Sequence, residues 1–187
     1  EYEDIKGVPH TVPAKHINAY LVDAPNVLLK KRRMPICAVP EMTNGSKPTD
    51  GGNLLMNDDE KASLLAVEPQ AAKWIRRFLG ADEFINNIPR WCLWLVDCLP
   101  NELRGMPEVM KRVQGVKAMR LASSKSATVQ LASSPAVFGE LRQPRANFLA
   151  LPEVSSERRE FLPIGFLNSE IIPSNKIQTI PDGTLFQ

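Results

Sequence analysis

Proline constrains this chain more than any other residue. Sixteen prolines fall among 187 residues. Each fixes φ and removes a backbone donor, so the sequence predicts many loops and extended segments and few long helices. A core remains feasible. The apolar fraction is 43% with mixed charges, which fits a soluble globular domain rather than a disordered tail. At this length one domain, or one domain plus an arm, is expected.

Residues 1–35 read as an arm with short strands at Ile17–Val22 and Val27–Leu29, separated by the turn Asp23-Ala-Pro25. Lys30-Lys-Arg-Arg33 follows, a run that could hold phosphates but also suits a solvated loop. Residues 34–53 are rich in Pro, Gly and Asn and read as loops. Asn57 and Glu60 form a variant of the capping box, with Asp58-Asp59-Glu60 at the positive end of a first helix and Leu64 and Leu65 on its apolar face. A second helix is predicted from Pro69 to Leu79, ended by Gly80, with Ala72, Ile75, Phe78 and Leu79 buried. Arg90-Trp-Cys-Leu-Trp-Leu-Val96 is nearly all apolar and predicts a central strand buried on both faces. A third helix is predicted from Pro107 to about Ser123, with Val109, Val113, Val116 and Arg120 at helical spacing. Residues 124–136 are Ser/Ala-rich and turn-like. Short strands follow at Asn147–Leu151, Phe161–Leu167 and Ile177–Ile180. Helices early and strands late give an α+β class: a mixed or antiparallel sheet with three or so short helices, rich in loops.

The net charge of +2 conceals an asymmetry. Residues 101–150 carry eight Lys/Arg against three Glu. A phosphate-contacting surface needs such an excess. A solvated basic helix has the same composition, and composition alone favours it.

Chemistry-bearing motifs are sparse. His10 and His16 lie in the Pro-rich arm. Cys37, Cys92 and Cys98 lack CxxC or zinc-finger spacing and suit a reduced, cytoplasmic protein. Gly51-Gly52 follows no strong strand, so it does not read as a nucleotide loop. Asp50 with Asp59-Glu-Lys61 imitates an Asp…Asp-x-Lys metal site of a Mg²⁺-dependent nuclease, but Asp59 and Lys61 are two residues apart in a helix and do not share a face. Helix capping explains them better. Ser155-Ser-Glu-Arg-Arg159 is a polar turn between apolar strands. Its Arg could donate in pairs to guanine and its Glu accept from cytosine; an internal Glu157–Arg ion pair fits equally well. No apolar run is long enough to span a membrane, and Glu1–Asp4 is too acidic for a signal peptide. The absence of an initial Met and the apolar ending Gly183-Thr-Leu-Phe-Gln187 suggest a piece of a larger protein.

Several segments, in order, resemble the MmeI-like type IIL (IIG) restriction–modification enzymes and related large adenine-specific DNA methyltransferases. They are Ile17-Asn-Ala-Tyr-Leu21, Pro40-Glu-Met-Thr-Asn-Gly45 with Pro48-Thr-Asp-Gly-Gly52, Phe78-Leu-Gly-Ala-Asp-Glu-Phe-Ile85 and Arg90-Trp-Cys-Leu-Trp-Leu95. Further on come Arg112-Val-Gln-Gly-Val-Lys117 with Arg120, Val154-Ser-Ser-Glu-Arg-Arg159 and Phe161-Leu-Pro-Ile-Gly-Phe166. Ala19 departs from the pattern, which has Pro there.

The resemblance implies that residues 1–56 are an arm or linker after the parent's methyltransferase domain, and that 57–187 are a C-terminally truncated DNA target-recognition domain. The implied partners are double-stranded DNA and that methyltransferase domain, with no membrane. The parent would transfer methyl from S-adenosylmethionine to adenine N6, and some members add a nuclease, which would need Mg²⁺. This chain holds no Asn-Pro-Pro-Tyr/Phe motif and no S-adenosylmethionine loop, so no cofactor and no catalytic or metal-ligating residue is expected within it. Base-reading candidates implied by the resemblance are Ser123, Ser124, Lys125, Glu157 and Arg159, with Glu102 weaker and Arg158 structural. Phosphate candidates are Lys111, Arg112, Lys117, Arg120, Arg142 and Arg145. The rival functions are a docking scaffold using the Trp91/Trp94 surface and a metal-dependent nuclease using Asp50, Asp59 and Lys61.

Overall fold

The computed structural model describes residues 11, 13–28, 30–32, 34, 38–156 and 158–184. The chain divides into two compact units, Glu1–Ala38 and Val39–Gln187.

In the first unit the expected strand at Ile17–Val22 is a set of turns instead. The Asn18 side chain accepts from the amides of Tyr20 (2.9 Å) and Val22 (3.2 Å), and Leu21 takes φ 60°. An Asn side chain that satisfies its own downstream amides competes with any strand ladder. Asp23 likewise accepts from the Lys15 and His16 amides, closing a small local loop. The described residues of Val27–Leu29 are not in a strand either, and Leu29 lies outside them.

The second unit is α+β. Its elements run β1 (Thr43–Asn44), β2 (Leu55–Met56), α1 (Asp58–Val67), a 3₁₀ turn (Pro69–Trp74), β3 (Ile75–Leu79), α2 (Ala81–Asn86) and β4 (Trp91–Leu93). They continue with α3 (Pro100–Arg104), α4 (Pro107–Leu121), α5 (Ser126–Gln130), a second 3₁₀ turn (Leu131–Ser133), β5 (Phe148–Pro152), β6 (Gly165–Leu167), β7 (Ile172–Pro173) and β8 (Ile177–Pro181). Residues 43–56, expected at the end of an arm, supply a strand to each of two sheets.

One sheet has the order β2-β4-β3-β7, antiparallel except for the parallel β3–β7 pair; the other, β1-β8-β5-β6, is antiparallel throughout. Trp91–Leu93 is central in its sheet, as its apolar run predicts. A strand flanked on both sides needs two partners, and this explains the misreading of residues 75–79. Residues 75–79 are not helical: Ile75, Arg76 and Arg77 pair with Leu93, Cys92 and Trp91. Ile75, Phe78 and Leu79 are still buried, but Ala72 is exposed. Apolar spacing in so short a segment fits either period; the open edge of β4 decided it. The Ser/Ala-rich stretch 124–136 also differs from expectation, because it contains α5 and the second 3₁₀ turn.

The Asn57 capping box is formed. The Glu60 amide donates to Asn57 Oδ1 (2.8 Å), and the Asn57 amide donates to Glu60 Oε2 (3.0 Å). The main core gathers Leu54, Met56, Phe78, Cys92, Leu93, Val109, Val113 and Val116; a smaller one holds Phe148, Ala150 and Ile177 with Phe84 and Leu167 against them. The segments 44–47 and 172–177 run between the sheets. A side chain at Gly45 would collide with the Pro173 and Ser174 carbonyls, so only glycine fits that crossing.

Candidate nucleic-acid interface

The basic residues of α4 separate into two sets. Val109, Val113 and Val116 form a buried stripe, as the helical spacing predicts. Glu68 fastens the helix start: its carboxylate accepts from the amides of Glu108 (2.6 Å) and Val109 (3.1 Å), placing negative charge at the positive helix end. Nothing in the local sequence signals a cap donated from 40 residues away.

Lys111 and Lys117 are exposed. Lys111 lies 3.8 Å from Glu108, and Lys117 has no ion pair among the described residues. Arg112 and Arg120 turn inward. Arg112 donates to the carbonyls of Asn53 (3.0 Å) and Leu55 (3.4 Å) and lies 3.6 Å from Glu60.

Arg120 is wholly buried, at 0% exposure. Nε donates to Thr49 O (2.9 Å), Nη1 to Leu131 O and Ser134 O (both 2.9 Å), and Nη2 to Pro48 O (3.1 Å) and Val137 O (2.8 Å). A guanidinium has five N–H donors, and all five are engaged. Arg120 therefore cannot reach a phosphate in this fold, which corrects its place among the phosphate candidates. The sequence held the warning: Arg120 falls on the same helical stripe as three valines.

The segment after α4 carries Ser123, Ser124 and Lys125. Ser124 and Lys125 are exposed, and Ser123 Oγ accepts from the Lys125 amide at 3.2 Å. Arg145 is exposed without an ion pair among the described residues. Arg142 pairs with Glu140, and its amide donates to Ser46 Oγ (2.9 Å). Glu102 is engaged by Lys73 and by the Leu99 amide (3.4 Å), and the Lys73 ammonium holds its carboxyl below the usual carboxylate range. It is an internal partner rather than a free acceptor.

The β5–β6 connection bears the polar turn. Its backbone is ordered by Ser156, which accepts from the Arg159 amide at its carbonyl (3.0 Å) and from the Arg158 amide at its hydroxyl (3.2 Å). Arg158 and Arg159 are both exposed; Glu157 lies outside the described residues. No hydrogen bond or ion pair among the described residues joins this turn to Ser123–Lys125.

The rival sites are occupied by structural tasks. Asp50 is buried and accepts from the Leu54 amide (2.7 Å), and Lys61 Nζ stands 3.1 Å above the Trp91 ring. Trp91 Nε1 donates to Asp58 Oδ1 (2.7 Å), and Trp94 packs edge-on to Phe138 at 5.2 Å. Both tryptophans lie against the main core. Among the described residues no group of three His, Cys, Asp or Glu could hold a metal. Cys92 is buried, which pushes its thiol well up and leaves it unreactive. His10 and Cys37 lie outside the described residues.

A family model for the MmeI target recognition domain matches residues 23–187. The chain belongs to that family. DNA methyltransferase A of Bacillus subtilis (strain 168) is 32% identical to this target recognition domain over 171 residues, 91% of the chain. A solved structure of the type IIL restriction–modification enzyme MmeI in complex with DNA matches with a TM-score of 0.90 and 46% identity over 98% of the chain. The domain spans 20% of the first relative and 24% of the second. It is therefore similar to a minor part of each.

Proposed function

We propose that this domain reads the target sequence of duplex DNA for a larger restriction–modification methyltransferase. The observation that carries the reading is the likeness to MmeI, which its solved structure holds in complex with DNA, along 98% of this chain. The disposition of the cations supports it. Lys111, Lys117 and Arg145 are exposed and suit phosphates, while Ser123, Ser124, Lys125 and Arg159, with Glu157, offer donors and acceptors to base edges. Arg142, tied to Glu140, is a weaker phosphate candidate, and Arg112 and Arg120 are framework.

Chemistry in the parent follows from the family. S-adenosylmethionine would supply the methyl group for adenine N6, with Mg²⁺ serving any nuclease, and both would be bound by residues outside this chain. The domain's own part is to fix register on the duplex so that the adenine can be extruded into the parent's pocket.

The test uses the protein that contains this chain. Its DNA affinity should fall steeply with salt, and Lys117→Ala should lower the slope by about 0.9 without changing which sequence is preferred. Changing Glu157 together with Arg159 should alter the preferred base at one target position while methylation continues. Equal loss of activity on every sequence would sink the assignment of that turn to base reading.

A further inference from the structure

Arg120 does more than fill space. Its Nη1 bonds Leu131 O at 2.9 Å, so the residue that opens the segment 121–130 also holds the residue that follows it. The other bonds extend the clasp to Ser134 and Val137 on one side and to Pro48 and Thr49 on the other. Thr49 takes φ 48°, a left-handed conformation that a β-branched residue adopts only when its surroundings impose it. Its carbonyl is one of the five that Arg120 holds. None of the five acceptors is a carboxylate. The guanidinium is thus used as a geometric template, a planar fork that fixes five carbonyl directions at once, rather than as half of an ion pair.

Between the two ends of the clasp stand Ser123, Ser124 and Lys125. Leu121, Ser124, Lys125, Ser126 and Ala127 are exposed, and α5 within the segment packs on α4 and on the second 3₁₀ turn through the half-buried Thr128 and Val129, so the serines and Lys125 have no buried neighbour of their own in the segment. We propose that Arg120 is a positioning residue for base recognition: by closing the ends of residues 121–130 it sets where Ser124 and Lys125 meet the bases. This rests on the proposed base-reading role of that segment. It adds a residue that touches no DNA yet sets discrimination at one target position. Lysine could not replace it, because three donors on a flexible stem cannot fix five carbonyls.

The experiment measures methylation by the full-length protein on a set of duplexes, each carrying one changed base pair of the target. Lys125→Ala identifies the position read by the segment. Arg120→Lys should then lower discrimination about tenfold at that same position and leave the others unchanged, a loss within the range of one base contact. Loss spread evenly over all positions, or none at all, would overturn the positioning role. If Lys125→Ala changes no position, the base-reading assignment of the segment fails first, and the proposal falls with it.

Should Arg120→Lys fail to fold, hydrogen exchange on the unaltered protein decides. A clasped segment exchanges its 122–130 amides together with the last turn of α4, as one cooperative unit. Exchange of those amides a hundredfold or so faster than that turn would overturn the proposal.

Discussion

The arginines at the end of α4 and in the β5–β6 turn are alike in sequence and opposite in structure. Arg120 lies in the last turn of a basic helix and Arg158-Arg159 follow Ser155-Ser-Glu157, and both stretches resemble recognition segments of one family. Yet Arg120 has no exposed surface and donates to five carbonyls, whereas Arg158 and Arg159 are exposed and, among the described residues, only their backbone amides are hydrogen-bonded. One arginine builds the frame, and the other two are exposed. Counting positive charge over residues 101–150 merges these roles, because it includes Arg112 and Arg120 with Lys111 and Lys117.

The comparison can be broken most decisively at Arg120. Arg120→Met should destabilise the fold by about 3–5 kcal/mol, since it strands several buried carbonyls, as denaturant unfolding would measure. A change below about 1 kcal/mol would mean that water reaches the site and that the cage is not buried. The double change Arg158→Ala with Arg159→Ala should shift stability by no more than about 0.5 kcal/mol, while DNA discrimination falls. A large loss of stability there would place the turn with the frame. The smallest effect concerns Glu102. Lys73 lowers its folded carboxyl below the ordinary value of 4.5, so the pair's contribution is complete above that pH and is lost as pH falls through the lowered value. Lys73→Met should therefore be slightly less stable than the unaltered protein at neutral pH, and the two should converge as pH falls below 4.5, the variant having lost part of the acid dependence. An unchanged acid limb would show that solvent screens the pair entirely.

Legibility differed by element for physical reasons. The capping box at Asn57 and the valine stripe of α4 involve neighbours three or four residues apart, so sequence spacing contains the whole interaction. The central position of Trp91–Leu93 followed from its unbroken apolar run. The strand at Ile75–Leu79 was hidden, because five residues with apolar side chains at both ends satisfy either period. Ile17–Val22 was misread because one Asn side chain satisfied the amides that a ladder would have used. Lys117, Lys125 and Arg159 are exposed, which leaves their proposed roles to the experiments above. The engagement of Glu102 by Lys73, 29 residues earlier, had no local sign.

By itself, the sequence determined the class, the starts of α1 and α4 and the family, because these depend on local spacing and on an ordered series of motifs. Only the tertiary structure decided which cations remain free. Arg120 lies on an apolar stripe that spacing reveals, but the carbonyls that accept it include those of Pro48 and Thr49, 72 and 71 positions away. Whether a buried guanidinium is satisfied depends on where distant backbone passes, and no local pattern encodes that.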